Sequence, residues 1–569
     1  MFKRFCAMAL SALVFAFSLV PAAPAQDFAA LLTEQAAVLE AALFSDESLT
    51  EALKSGERYR AAGGSYAVFL SVSDGEGRAH TFLGSGPSLR SAWNKSVRAA
   101  ARQCQRDGRA PLWLRVDIVT ESALLTHGQL RESIGLAPGS FAFGLSPGQD
   151  YTQALLCPQV HQTGLIDYAA QDISQEAWPE ELPEEWIRFS CQSYFYTVSE
   201  GVVPLAPGRS GIGVRASTPD KGTVQDAVAQ AALFLAASVQ EDGHFSYGTF
   251  AGSGKPVPGY SILRHAGSTW SLVQAYRLTK DSRLAAPIQS SLDALVEQNL
   301  TWKDSKTAYV TEHFAGEIKL GGNGIALAAL TDYMETFGTQ DYLPQSKSLG
   351  EGILSMQRED GSFVHVLHAD DFSLKDELRT VYYDGEAVYG LLRLYQYTGE
   401  AKWLKAAKKA VDYLIENHYE EHGDHWISYA MNELVRLDPS PRYQTFALKN
   451  GQTNLSTIYR RRALDPAGME NLMCVFAAHQ QVLQKSPGLP YLEEFDSALL
   501  QKAIRYRAAY MLEHFFYPET AMFMAHPRQV QGSFFVLEDD FRVRIDDVQH
   551  TIGGYCLYLD HYSQVSPQG

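Results

Sequence analysis

The stretch YYDGEAVYGLLRLYQYTGEAKWLKAAKKAVDYLI, Tyr382–Ile415, limits the possible folds more than any other part of the chain. Its first half carries Ala387, Val388, Tyr389, Leu391, Leu392, Leu394 and Tyr395 and leaves almost no polar face, which predicts a helix enclosed on all sides. Its second half puts Leu404, Ala407, Val411, Leu414 and Ile415 on one stripe, with Lys402, Lys405, Lys408 and Lys409 off it, as in a helix half in solvent. The short turn Thr398-Gly399-Glu400 joins the two. One hairpin cannot enclose its own inner helix, so others must surround it.

The same grammar recurs. RHAGSTWSLVQAYRLTKDSRL begins at Arg264 and LGGNGIALAALTDYMETFGTQDYL at Leu320; looser copies begin at Asp424, Ala467 and Ile545. Amphipathic outer helices are predicted before them, over 223–240, 283–299, 342–357, 401–419, about 443–460, and 496–516. Two of these end alike, in QEDGHFSY from Gln240 and QREDGSFVH from Gln357, where a glycine suits a left-handed helix C-cap. Twelve helices that alternate outer and inner imply a closed ring of six hairpins. This pattern resembles the (α/α)6 toroid of six-hairpin glycosidases and related enzymes. The Q-x-x-D-G-x-F endings are also similar to repeats in prenyltransferase and terpene-cyclase toroids. The resemblance implies the fold; hydrolases, lyases, epimerases and non-enzymes all share it.

Residues 26–203 read as an α+β domain. YAVFLSVSD and LWLRVDIV alternate like strands, and SLRSAWNKSVRAAARQC reads as a helix. With LLCPQV, this order resembles the AMMECR-like module, although that family's cysteine-bearing glycine motif has no counterpart near Gly84–Pro87. A Gly/Pro/Ser-rich linker is expected at 204–222, and the toroid at 223–569. Residues 1–25, with Lys3, Arg4, an apolar run and Ala23-Pro24-Ala25, read as a secretory signal peptide, so a periplasmic or extracellular location is expected. No later run of apolar residues is long enough to span a membrane.

A formal charge of −17 argues against nucleic acid, which demands a basic surface. Beyond the expected signal peptide, Cys104, Cys157, Cys191, Cys474 and Cys556 are widely spaced and odd in number; they read as buried small residues, with room for one disulfide among the first three.

In such a ring the long outer-to-inner loops crowd the face where the inner helices begin, and a pocket is expected there. The residues at those starts are Arg264 and His265; Glu312, His313 and Asn323; Tyr383, Asp384 and Glu386; Asp424, His425 and Trp426; Glu470 and Asn471; and Asp546, Asp547 and His550. Acids at helix starts serve as caps, and Asp384, Asp424 and Asp546 suit that role. Capping does not explain the His, Tyr, Trp and Arg beside them. Glycoside hydrolysis needs two carboxyl groups, one protonated and one ionised. The candidates are Asp384, Glu386, Asp546, Asp547 and Glu312, with a carboxylate of unit three facing one of unit six as the preferred pair. Arg264, His265, His313, Asn323, Tyr383, His425, Trp426 and His550 are candidate sugar-binding residues.

The expected function is a glycoside hydrolase acting on an envelope or extracellular polysaccharide. A uronate epimerase or lyase using His265 and Arg264, and a non-catalytic glycan-binding or envelope-assembly protein, are the alternatives. EEHGDHW and HVLHADD read as polar loops without metal-ligand spacing, and no cofactor or metal is expected.

Overall fold

The computed structural model describes residues 27–55, 66–126, 140–145, 155–156, 185–206, 213–215, 218–461 and 463–565. The signal-peptide stretch and Cys157 lie outside them.

The N-terminal part contains α1 (Phe28–Ser45), α2 (Glu47–Ser55), β1 (Tyr66–Ser73), β2 (His80–Gly86), α3 (Leu89–Asp107), β3 (Trp113–Thr126), β4 (Ser140–Leu145), β5 (Leu155–Leu156), β6 (Glu185–Thr197), β7 (Gly201–Ala206) and β8 (Val214–Arg215). They form an antiparallel sheet in the order β2-β1-β3-β6-β4-β5, with β7 on β6 and β8 on β7. β8 and the second half of β7 fall inside the stretch expected to be a linker.

Strand periodicity divides the side chains of β1 and β3 between two cores. Val68, Leu70, Leu114, Val116 and Ile118 pack with Leu32, Leu39 and Trp93 of the covering helices. Phe69, Trp113 and Val119 join the core of the helical ring. On that second face Arg115 and Asp117 form a fully buried ion pair, and Arg115 Nη1 donates to the Glu519 carbonyl at 3.3 Å. Among the described residues, only α1 is long and apolar enough to cross a membrane; its stripe Leu32, Ala36, Leu39 and Leu43 is buried in the N-terminal core.

The ring follows. Its outer helices are α4 (Lys221–Ser238), α6 (Ala285–Asp293), α8 (Leu343–Ser355), α10 (Ala401–Glu416), α12 (Pro441–Arg460) and α14 (Ser497–Leu512). Its inner helices are α5 (Ile262–Thr279), α7 (Leu320–Phe337), α9 (Tyr382–Thr398), α11 (His425–Leu437), α13 (Pro466–Lys485) and α15 (Ile545–Asp560). Each inner helix packs on the next, and α15 packs back on α5. The chain is an (α/α)6 toroid preceded by an α+β region.

Small residues set the spacing between inner helices. A Cβ on Gly324 of α7 would lie 2.3 Å from the Glu386 carbonyl oxygen of α9, and one on Gly390 would lie 2.5 Å from the Gly324 carbonyl oxygen. The two helices therefore touch backbone to backbone. Aromatic rings fill the axis deeper in. Trp270 of α5 meets Trp426 of α11, half a ring away, at 5.8 Å between centroids, and Tyr389 and Tyr429 complete the plug. Below it, Asp332 accepts from Trp270 Nε1 at 2.7 Å and pairs with Arg393 and Arg277.

The repeated D-G-x-F endings do a different job from the one expected. The helices stop at Ser238 and Ser355, and the glycines come later, in tight turns closed by the bridges Val239–Phe245 and Gln357–Phe363. Gly243 and Gly361 have φ of 83° and 100°, and a Cβ on either would lie within 2.4 Å of a carbonyl oxygen of the neighbouring outer helix, Ser290 or Lys409. The motif docks one hairpin on the next instead of capping a helix.

The long outer-to-inner loops are ordered by two small sheets. One contains β9 (Gly248–Phe250), β10 (Lys255–Pro256) and β16 (Arg542–Arg544). The other runs β11 (Leu300–Trp302), β12 (Ala308–Glu312), β13 (Glu317–Lys319), β14 (Val366–His368) and β15 (Leu374–Asp376).

Candidate functional site

The inner-helix starts surround a cavity of about 540 Å³. Its lining includes Arg264, Glu312, Tyr383, Glu386, His425, Trp426, Asp546 and His550, all candidates from the sequence. Tyr260, Lys319, Tyr382 and Gln549 join them. Lys319 immediately precedes α7, so the rule that picked out the other residues could have found it. The aromatic plug lies behind Trp426, so the cavity is a funnel with a floor.

The remaining candidates lie elsewhere. His265 is fully buried behind the wall. Its Nδ1 accepts from the Tyr260 hydroxyl at 2.8 Å, and its Nε2 donates to the Ser291 carbonyl at 2.8 Å. Burial lowers its pKa to about 4, so it is a neutral strut. Asn323 is buried and ties β12 to α7 through Val310 and Lys319. His313 bonds the Gln298 carbonyl on the outside. Asp547 pairs with Arg542 at 3.0 Å.

Asp384 does not cap its helix. Arg379 donates a backbone N–H to His365 Nδ1 at 3.0 Å, which leaves the proton on His365 Nε2, and that nitrogen donates to Asp384 Oδ2 at 3.0 Å. HVLHADD is thus more than a polar loop, since its first histidine anchors α9. Asp546 makes no cap either; of the three acids suited to capping, only Asp424 does so, accepting from the Trp426 and Ile427 amides at 3.0 and 3.3 Å. Glu312 reaches across from β12 to accept from the Ile262 amide at 2.7 Å, closing the start of α5, and Lys319 lies 3.5 Å from its other oxygen.

Glu386 stands apart. Its carboxyl is buried in the funnel wall, and Oε2 has no hydrogen-bond partner among the described residues. Burial, then the nearby Asp424, raises its pKa well above the ordinary value. The oxygen occupies the slot left by a missing side chain: a Cβ on Gly321 would lie 1.7 Å from Oε2. Unlike Gly324, Gly321 faces side chains, the Glu386 carboxyl and the Tyr383 ring, whose Cδ1 would lie 2.6 Å from the added methyl. Gly321→Ala is therefore expected to displace both the carboxyl and the ring, at a cost of about 1–3 kcal/mol. A crystal structure of the variant, with Glu386 unmoved, would refute this.

Asp546 is the electrostatic opposite. Burial alone would raise its pKa, but Arg544, at 2.8 Å, and Arg264, at 2.8 Å, hold it below the usual aspartate value. On the third side His550 Nδ1 lies 2.7 Å from Glu470 Oε2, and the Tyr429 hydroxyl donates to Glu470 Oε1 at 2.9 Å. Burial would make His550 more acidic; Glu470, with Asp546 and Asp547, overrides it and raises the pKa. The His425 ring stands 5.5 Å from that of His550. Cys474 and Cys556 are buried, and burial pushes the Cys556 thiol up to about 12, so neither supplies a thiolate.

No protein-family profile matches the chain, and no curated protein matches it by sequence. Solved structures do. Cellobiose 2-epimerase from Bacillus thermoamylovorans B4167 is similar over 60% of this chain and 100% of its own, with 10% identity and a TM-score of 0.46. A D-mannose isomerase is similar over 61% and 99%, with 10% identity and a TM-score of 0.46. The GH76A alpha-1,6-mannanase from Salegentibacter sp. HEL1_6 is similar over 59% and 98%, with 12% identity and a TM-score of 0.41. The AMMECR-like resemblance of the N-terminal region finds no support among the matches.

Proposed function

We propose that this chain is an exported carbohydrate-active enzyme that cleaves glycosidic bonds in the funnel, with Glu386 as proton donor. The observation that carries the reading is a pair of carboxyl groups on one cavity whose surroundings drive their protonation apart: burial favours the protonated form of Glu386, and two guanidinium groups favour the ionised form of Asp546. Glu386 would give its proton to the glycosidic oxygen as the bond to the anomeric carbon breaks. Water would attack the anomeric carbon from the opposite face and lose its proton to Asp546, forming the new carbon–oxygen bond as the old one breaks. This is the pairing of unit three with unit six, narrowed to one acid from each.

The wall and rim are suited to sugars. Trp426 and Tyr383 present rings to the cavity, and Tyr382 stands half exposed beside His425. Because the plug closes the floor, a saccharide enters by its end, which favours an oligosaccharide or the terminus of a polysaccharide.

The test is product analysis by mass spectrometry after incubating the protein with neutral and uronate-containing glycans. Shortened products carrying one added water are expected. An unsaturated end would replace the hydrolase reading with a lyase. Deuterium uptake from solvent at unchanged mass otherwise would replace it with an epimerase, and binding with no turnover would return the site to a glycan-binding role.

A further inference from the structure

Three side chains on consecutive inner helices meet at the funnel wall: His425 on α11, Glu470 on α13 and His550 on α15. One ligand atom of each lies within 4.8 Å of the other two. We propose that they form a site for a divalent transition-metal ion, zinc being the ion the trio fits, with the open coordination position facing the funnel. This rests on their geometry alone and does not depend on the role of Glu386.

The donor set decides the class of ion. Two imidazoles and one carboxylate suit zinc and its first-row neighbours; calcium and magnesium prefer all-oxygen shells. Three protein ligands leave a position for water or a sugar hydroxyl, and His425 and His550 both line the cavity that would supply it.

The surroundings are built for ligation. His425 Nε2 is buried and has no hydrogen-bond partner among the described residues, an expensive state for a ring nitrogen that an ion would relieve. Its other nitrogen, Nδ1, lies 3.4 Å from Asp424 Oδ1. Asp424 is itself fixed as the cap of α11. Glu470 Oε1 is held by Tyr429, which leaves Oε2 for the ion. A Cβ at residue 553 would lie 2.3 Å from Glu470 Oε1, so Gly553 of α15 makes the room this carboxylate occupies. Binding would displace the proton now shared by His550 and Glu470. No local motif announces the site, because each ligand comes from a different hairpin.

The experiment uses untagged full chain, stripped with EDTA and titrated with zinc by calorimetry, and with cobalt(II) by visible absorption. The expected result is one zinc per chain at micromolar or tighter affinity, and cobalt bands of a four- or five-coordinate site. His425→Ala and Glu470→Gln should each weaken zinc at least 100-fold, with circular dichroism unchanged, while Glu386→Gln binds like wild type. His425 sits on the funnel wall, so its truncation leaves the core intact and decides the matter if the Glu470 variant does not fold. Zinc bound no better than magnesium, or equally by wild type and His425→Ala, overturns the proposal.

Discussion

Gly324→Ala should weaken the ring more than any change among the side chains lining the funnel. The added methyl would lie 2.3 Å from the Glu386 carbonyl oxygen, 2.4 Å from its carbonyl carbon and 2.7 Å from the Ala387 nitrogen. These are backbone atoms inside α9, which cannot swing aside as a side chain can. Relief requires α7 and α9 to separate, and a closed ring must pass that displacement to its neighbours. Overpacking of this kind costs about 3 kcal/mol, the upper end of its usual range. With an unfolding entropy of about 2.1 cal/mol/K per residue over roughly 340 ring residues, each kcal/mol moves the midpoint by about 1.4 °C, so a fall of about 4 °C is expected. Thermal unfolding followed by circular dichroism measures it. A midpoint within 1 °C of wild type would show that the helices can part freely and that the close crossing is not what fixes the ring.

The same crossing explains what could be read in the sequence and what could not. The enclosed helix was legible because Ala387, Val388, Leu391 and Leu392 are apolar in every direction, and each is fully buried. The outer helix was legible because Ala407, Val411 and Leu414 recur on one stripe, and they face inward. Ring closure followed from repetition. The rim sheets were not legible, since most of their strands have two or three residues, and the longest, β12, is buried throughout and shows no alternation.

At the site, residue type and unit could be read, but the direction of each side chain could not. Neighbours on a helix point about 100° apart, so adjacent candidates can part ways: His425 and Trp426 both line the cavity, but other neighbours do not. Arg264 lines the funnel while His265 goes behind its wall. Asp546 lines it while Asp547 turns to Arg542. Glu386 lines it while Asp384, two residues earlier and about 200° away, turns to His365. Without knowing the axis, the sequence could only name each group whole.

Glu386→Gln should separate function from stability, because the feature that would make this residue an acid catalyst also burdens the fold. Removing a general acid costs 10²–10⁴ in rate, and kcat/KM is expected to fall by about 10³ on whichever glycan the wild type cleaves. The stability effect should have the opposite sign and needs no substrate. In the unfolded chain the Glu386 carboxyl ionises near its ordinary value of 4.5, whereas in the fold burial keeps the proton on to a higher pH. Above about pH 4.5 the unfolded state therefore holds fewer protons than the native state, and this group's contribution to stability falls as pH rises until the buried carboxyl also ionises. Glutamine has no proton to lose. The variant should match wild type in thermal midpoint near pH 4 and gain on it as pH rises, by about 1.4 kcal/mol for each pH unit crossed between the two pKa values, levelling off once the buried carboxyl ionises. Asp384→Asn is the contrast: it weakens the His365 anchor of α9 and should lower the midpoint at neutral pH, where its carboxylate accepts from His365 Nε2. If Glu386→Gln is destabilised at every pH, the carboxyl is a structural partner like Asp384 and the proton-donor assignment fails. If it is stabilised at high pH and inactive, the fold is keeping an uncomfortable acid where only a substrate oxygen can use it.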